Sequence, residues 1–419
     1  MSSASEPSSS ASAYAVLEET ATGQIIADAD PGPTTLFTPR FFLMCGFNFV
    51  VFLSAFQLLP TAPFRILDVG GSTLVAGLFL GGLTYASAFS APFTGAIADR
   101  IGRRRTLVIC SSAIFLMSIA YSLTTTWLPM LVIVFVHGVF WSGLLTAAGA
   151  YVTDLMPAAR RAEGIGYYGI STILAVAVAP AVGLWVYHHG WLWLCASIGI
   201  LNVTMALIAM QLPETHRRRV AAGESWQWHE VIEWRVTVLS ITLFLLAFGH
   251  GGITSFVAMY ATRNGVTPNS LFFMVSAAAM VCTRPFAGAL ADRIGSVKVL
   301  APCIILTMLG YTLLAMGGTK GWLIAAALVF GTGFGSAYPA FAAFVMRHIH
   351  ETKRAAAFGG ILAALDTGIG TGSITVGWII QRYGFSAAYG TAACLAALSL
   401  PYFLLVSHRV FATTSDATR

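Results

Sequence analysis

From about residue 40 to about residue 407 the chain is an almost unbroken series of apolar runs, and that series decides what it can fold into. The runs cover about 40–60, 72–98, 105–124, 127–152, 163–187 and 190–212, then about 236–262, 268–291, 297–317, 321–346, 354–381 and 385–407. Each is roughly twice the ~10 residues that a spanning β-strand needs and is uniformly rather than alternately apolar, so each reads as a membrane-crossing helix. Only 10% of the 419 residues are charged and 57% are apolar, against roughly 25% charged in a soluble domain. A soluble globular fold is excluded. The expected fold class is an all-α membrane protein with twelve transmembrane helices in two six-helix bundles.

The polar segments divide the chain. Residues 1–36 belong to a Ser-, Ala-, Thr- and Pro-rich stretch that carries Glu6, Glu18, Glu19, Asp28 and Asp30 and has no Lys or Arg before Arg40. It therefore lacks the basic residues of a signal or transit peptide and reads as a disordered cytosolic tail. Residues 37–212 form the first six-helix bundle, 213–235 a cytosolic linker, 236–408 the second bundle and 409–419 a cytosolic tail. The linker's Trp226, Trp228 and Trp234 suit an amphipathic interfacial piece or a partner contact.

A formal net charge of +6 raises the question of an anionic partner, and the positions of the basic residues answer it. Eighteen fall on the N-terminal side of the twelve spans, among them Arg100, Arg103 to Arg105, Arg160, Arg161 and Arg217 to Arg219. Only Arg65, Arg263, Lys320 and Arg382 fall opposite. Basic residues favour the cytoplasmic face, so both termini are expected there, and nucleic acid is not implied. All six cysteines lie within apolar segments without metal-ligand spacing, and read as buried small hydrophobes.

Shifting the chain on itself by 193 residues lays PFTGAIADRIG (92–102) on PFAGALADRIG (285–295), with nine of eleven positions identical. The same shift pairs Arg161 with Arg354 and Trp185 with Trp378. A constant offset across separate segments indicates a duplicated six-helix unit, with both copies in the same orientation, which is transporter architecture.

The loop after the second span, Gly95-x-x-x-Asp99-Arg100-x-Gly102-Arg103-Arg104-Arg105, resembles the signature of the major facilitator superfamily. A weaker copy, Gly288-x-x-x-Asp292-Arg293-x-Gly295-x-x-Lys298, follows the eighth span, where that family repeats it. The resemblance covers about residues 37–408. It implies that Gly95, Asp99, Arg100, Gly102, Arg103 and Arg104, with Gly288, Asp292, Arg293 and Gly295, latch the two halves in one conformation. A loop serving topology alone is the plainer alternative. Ala175 to Gly183 in the fifth span is similar to the family's antiporter motif, with Ala179 in place of the usual Gly; there Pro180 and Gly183 set a kink or a close packing contact.

Few polar groups lie within the spans. Asp366 sits about 18 Å into the eleventh, near the midplane, where a carboxylate must be paired, protonated or in contact with water. It is a candidate for proton coupling and solute contact, or a static ion-pair member. Arg284, about 12 Å inside the eighth span, is its candidate partner, or snorkels to the interface. His250 in the seventh span and Gln57 in the first are related by the repeat, and with Asn48 they are candidates for the solute cavity. His250 is also a proton-coupling candidate. His137 stands where many exporters of the family carry an arginine, and is a weaker coupling candidate.

The expected function is secondary active transport of a small organic solute by alternating access, most simply efflux in exchange for protons. The extended pattern resembles bacterial efflux permeases of drugs, sugars or metallophores; proton-coupled or facilitated uptake is the alternative. No Gly-x-x-x-x-Gly-Lys-Ser/Thr sequence is present to draw on ATP, and a scramblase or membrane enzyme finds no motif. No cofactor, metal or nucleic acid is expected, and the working unit is expected to be a monomer in the inner cell membrane.

Overall fold

The computed structural model describes residues 35–157, 160–214, 233–350 and 353–412, without the side chains of 162, 285, 287–289, 291, 292, 354–356 and 408–412. Both expected tails and the linker core with Trp226 and Trp228 lie outside this set. Among the described residues there are helices and no strand. The first half contains α1 (Pro39–Leu58), α2 (Ala62–Asp68), α3 (Thr73–Ile101), α4 (Arg103–Ser122), α5 (Trp127–Asp154), α6 (Arg161–His188) and α7 (Trp191–Gln211). The second contains α8 (Trp234–Arg263), α9 (Leu271–Ile294), α10 (Ser296–Met316), α11 (Lys320–His348) and α12 (Arg354–Ala412).

Ten helical stretches are long and apolar enough to cross a membrane. One of them, within α12, is two helices joined at Gly384, where φ is 82°. α9 has 24 residues, of which Leu271–Arg284 is its apolar part. Large apolar side chains cover the outside of the bundle, among them Phe42, Leu116, Leu128, Leu192, Trp193, Ile200 and Leu405. A surface of this kind is stable in lipid and not in water. The same reasoning corrects the reading of the cysteines: Cys110, Cys195 and Cys303 are buried, but Cys282 and Cys394 are exposed, because an apolar residue in a membrane bundle can face lipid as well as the core.

The duplication is visible in the backbone. Six glycines among the described residues have positive φ, and they recur in both halves at corresponding turns: Gly102 and Gly295 at the repeat shift itself, and Gly190 with Gly384 and Gly70 with Gly265 within two residues of it. Each lies at a sharp chain reversal between helices, where a Cβ would be strained. Packing repeats as well: α3 lies on α5 as α9 lies on α11, and α4 lies on α7 as α10 lies on α12. The halves meet mainly through two contacts related by the repeat, α3 with α12 and α6 with α9.

Candidate functional site

Those two contacts differ. At the end of the bundle away from the Arg-rich loops, α3 and α12 are zipped together. Thr73 Oγ1 donates to the Gly377 carbonyl at 2.8 Å, and the Tyr85 hydroxyl bonds Thr371 Oγ1 at 2.6 Å. Between these bonds the backbones touch: a Cβ on Gly77 would overlap the Ser373 carbonyl, and one on Gly370 would overlap Thr84. From Tyr85 towards the Arg-rich side no hydrogen bond joins α3 to α12 among the described residues, and Phe89, Phe93 and Ile97 of α3 are exposed, as are Phe358 and Leu362 of α12.

The contact of α6 with α9 carries a charge. Arg284 lies about 15 Å from the Arg-rich end of α9. Its Nε donates to the Gly335 carbonyl of α11 at 3.3 Å. A Cβ on Gly169 of α6 would lie 3.4 Å from its Nη1, so the guanidinium reaches the opposite half. Tyr338 lies three residues beyond Gly335, about one turn further along α11. Asp366, half-buried, has no hydrogen bond and no ion pair among the described residues. The expected Arg284–Asp366 pair is therefore not formed: the guanidinium is held on the α11 backbone and the carboxylate stands on α12.

His250 extends this region. Its ring stacks on Phe334 at 4.4 Å and on Phe330 at 5.9 Å, and its Nδ1 is buried without a hydrogen-bond partner. Phe334 and Tyr338 are four residues apart and so share a face of α11.

The other polar candidates are placed within the first half. Asn48 is buried and its Nδ2 donates to Ser171 Oγ at 2.8 Å, Thr172 Oγ1 at 2.7 Å and the Tyr168 carbonyl at 3.3 Å, all on α6. Gln57 is buried, accepts from Ser197 Oγ on α7 at 3.0 Å, and has Gly183 of α6 against its backbone. His137 is buried between helices with its Nδ1 3.4 Å from the Tyr121 hydroxyl. Polar side chains that satisfy one another this way hold membrane helices together. Pro180 lies inside α6, which runs unbroken through it.

In the signature loop, Gly102 has φ 102° and allows the turn from α3 to α4. Arg103 bonds the Ala150 carbonyl at 2.9 Å and pairs with Asp154. Arg104 donates from Nη2 to the Met210 carbonyl at 2.7 Å and from its backbone N–H to Glu214 at 3.3 Å. Gly95 faces Thr146 of α5. These contacts stay within the first half, and Asp99 and Arg100 are exposed. Of the second copy, Gly295 repeats the positive φ at 93° and Arg293 is exposed, while the surroundings of Gly288 and the side chain of Asp292 lie outside the described set.

Sequence reasoning missed Tyr338, Phe334 and the α3–α12 zipper. The repeat held a signal for the zipper and for Tyr338: the counterparts of Gly77, Gly81 and Gly377 are Ser270, Met274 and Leu184, and that of Tyr338 is Leu145, as that of Asp366 is Ile173, whereas Phe334 has the aromatic Trp141 as its counterpart. Residues that break a duplication mark where the copies have diverged in task.

Known proteins share this architecture. The MFS-type transporter YhhS of Escherichia coli (strain K12), described as uncharacterized, is 24% identical over 364 residues, covering 84% of this chain and 89% of that protein. An uncharacterized MFS-type transporter of Pseudomonas aeruginosa (strain UCBPP-PA14) is 26% identical over 359 residues, covering 82% and 86%. Among solved structures, the nucleoside transporter NupG superimposes with a TM-score of 0.72 at 16% identity, over 88% of this chain and 99% of that one. The peptide transporter POT in complex with sulfate superimposes with 0.73 at 13%, over 91% and 97%. The family description "Major Facilitator Superfamily" matches residues 44–359 and again 239–418, so that the second match starts one repeat after the first. With this match over most of its length, the chain belongs to the major facilitator superfamily of membrane transporters.

Proposed function

We propose that the protein is a twelve-span carrier with two six-helix halves and cytoplasmic termini, which exports a small organic solute across the inner cell membrane in exchange for protons. The observation that carries this reading is Asp366: a half-buried carboxyl about 18 Å into its helix, with no ion-pair partner among the described residues. A charge at that depth is costly, and protonation removes the cost, so the group suits a site loaded and emptied in turn. The zipper between α3 and α12 supports an alternating mechanism, since it closes one end while the aromatic face of α3 stays exposed towards the other. Among the described residues no hydrogen bond of the signature loops crosses between the halves, and their latch belongs to the opposite state.

Proton-coupled uptake is the second reading. It is favoured by His137, which packs on Tyr121 within the first half where an exporter-type basic relay would stand. Solute counterflow in proteoliposomes separates a carrier from a channel or scramblase. A carrier preloaded with unlabelled solute accumulates labelled solute transiently above equilibrium, whereas a pore equilibrates without overshoot, and that result would contradict the proposal.

A further inference from the structure

The two copies of the signature loop are neutralised differently. Asp99 and Asp292 are common to both. In the first copy Arg103 also pairs with Asp154, and the Arg104 backbone N–H donates to Glu214, so two further carboxylates meet the loop. The repeat turns Asp154 into Arg347 and Glu214 into Ser407, so the second copy has no acid at either position. Its Arg293 and Lys298, the counterparts of Arg100 and Arg105, are exposed and make no hydrogen bond or ion pair among the described residues. Residues 1–34 carry the complementary charge: Glu6, Glu18, Glu19, Asp28 and Asp30, with no Lys or Arg.

The point where that segment enters the bundle is fixed beside this loop. Leu36 is fully buried, and a Cβ on Gly164 of α6 would meet its side chain at 2.8 Å. The Phe37 ring packs on Tyr167 of α6 at 5.2 Å, under the Arg160 guanidinium. α6 is the helix of the first half that packs on α9, with Arg284 reaching Gly169. Gly164 is five residues nearer the Arg-rich end than Gly169, and Arg293 is nine residues nearer it than Arg284, or about 8 and about 14 Å. The entry point and Arg293 thus lie about 10 Å apart sideways, one interhelical spacing, and about 6 Å apart in depth. Asp30 is six residues and Asp28 eight residues before Leu36, a reach of up to about 20 and about 27 Å.

We propose that Asp28 and Asp30 dock on Arg293 and Lys298, so that the N-terminal segment ties the first half to the second at the Arg-rich end. Exposed ion pairs are individually weak, but a carboxylate tethered this close acts at an effective concentration in the millimolar range, which a free anion does not match. The first copy of the loop draws its extra acids from α5 and from the residues after α7; the second draws them from the other half. The purpose of the tie, favouring the conformation in which the second loop is not latched, rests on the carrier reading. The docking and its test do not.

The test places the photo-crosslinker p-benzoylphenylalanine at Ala29 of the full-length protein, in nanodiscs of phosphatidylcholine, and identifies the attached peptide by mass spectrometry. The expected adduct joins residue 29 to the segment 293–298 of the same chain. Its yield falls about threefold or more between 0.05 M and 1 M salt, and by a similar factor when Asp28→Asn and Asp30→Asn are combined. Lys298→Gln lowers it, and Asp28→Lys with Asp30→Lys abolishes it. Adding Arg293→Glu and Lys298→Glu to that reversed segment restores it. The tail variants change residues before the first helix, so they keep the test open should a loop variant fail to fold. The proposal is overturned if no adduct forms, if the adduct is with lipid, another segment or a second copy, or if its yield ignores salt and the tail charges. Because the readout is independent of transport, a carrier reading refuted by counterflow leaves the docking standing.

Discussion

The two places where the halves meet are related by duplication and built from different materials. The α3–α12 contact is a zipper of glycines and hydroxyls, in which Gly77 and Gly370 let backbones touch and Thr73 and Tyr85 bond across. In the α6–α9 contact no hydrogen bond joins the two helices among the described residues. At its matching positions stand Ser270, Met274, Ala177 and Leu184, and the notable cross-half approach is a guanidinium against Gly169. Close packing of small residues is a strong attraction between helices in lipid, whereas a charge at an interface needs water or a partner. A duplicated scaffold thus keeps its helix order and backbone turns while one seam becomes a dry closure and the other a polar site.

The comparison is easiest to break at the zipper. Gly77→Leu forces a side chain into the Ser373 backbone, which costs the closed end about 1 to 3 kcal/mol and shifts the conformational balance by roughly 5- to 150-fold. Spin labels at Thr125 and Arg382 should move apart in that variant, and an unchanged distance would show that the zipper does not hold the end shut. Tyr85→Phe deletes one cross-half hydrogen bond and should produce the same opening at a smaller scale, about 0.5 to 1.5 kcal/mol. On the other side, Arg103→Gln removes the pair with Asp154, which joins two helices of the same half. Its effect should be below about 1 kcal/mol in thermal stability, with no change in the label distance. A large opening in that variant would place a cross-half contact at the loop in this conformation.

Much of the fold was legible because the lipid environment leaves few options. Apolar runs of spanning length must be helices, and two loops with the same glycine and the same Asp-Arg pair must come from a repeat; Gly102 and Gly295 carry out that prediction in their φ angles. The site was legible in part. Asp366 and Arg284 stood out because a charge within a span is rare, but the distance between them was not encoded in depth along a helix. Asn48, Gln57 and His137 were equally visible as polar residues, and the structure turns them inward to tie α1 to α6 and α7, and α5 to α4. Which face of a helix looks at its own bundle and which at the opposite half depends on rotation about the helix axis. In a bundle apolar on every side, hydrophobic periodicity carries little of that information. Tyr338 and Phe334 were missed for the same reason, since an aromatic residue in a span is ordinary until its neighbours are known.

The central claim is that the unpaired carboxyl in the second half couples the solute to protons. Inverted membrane vesicles with an acidic interior reported by a pH dye test it directly, with wild type, Asp366→Asn and empty vector challenged by the same panel of drugs, sugars and metal-binding metabolites. The account predicts a compound-dependent loss of acidity with the wild type that falls to the empty-vector level in Asp366→Asn, while that variant remains folded. Proton-driven transport undiminished in Asp366→Asn would contradict it.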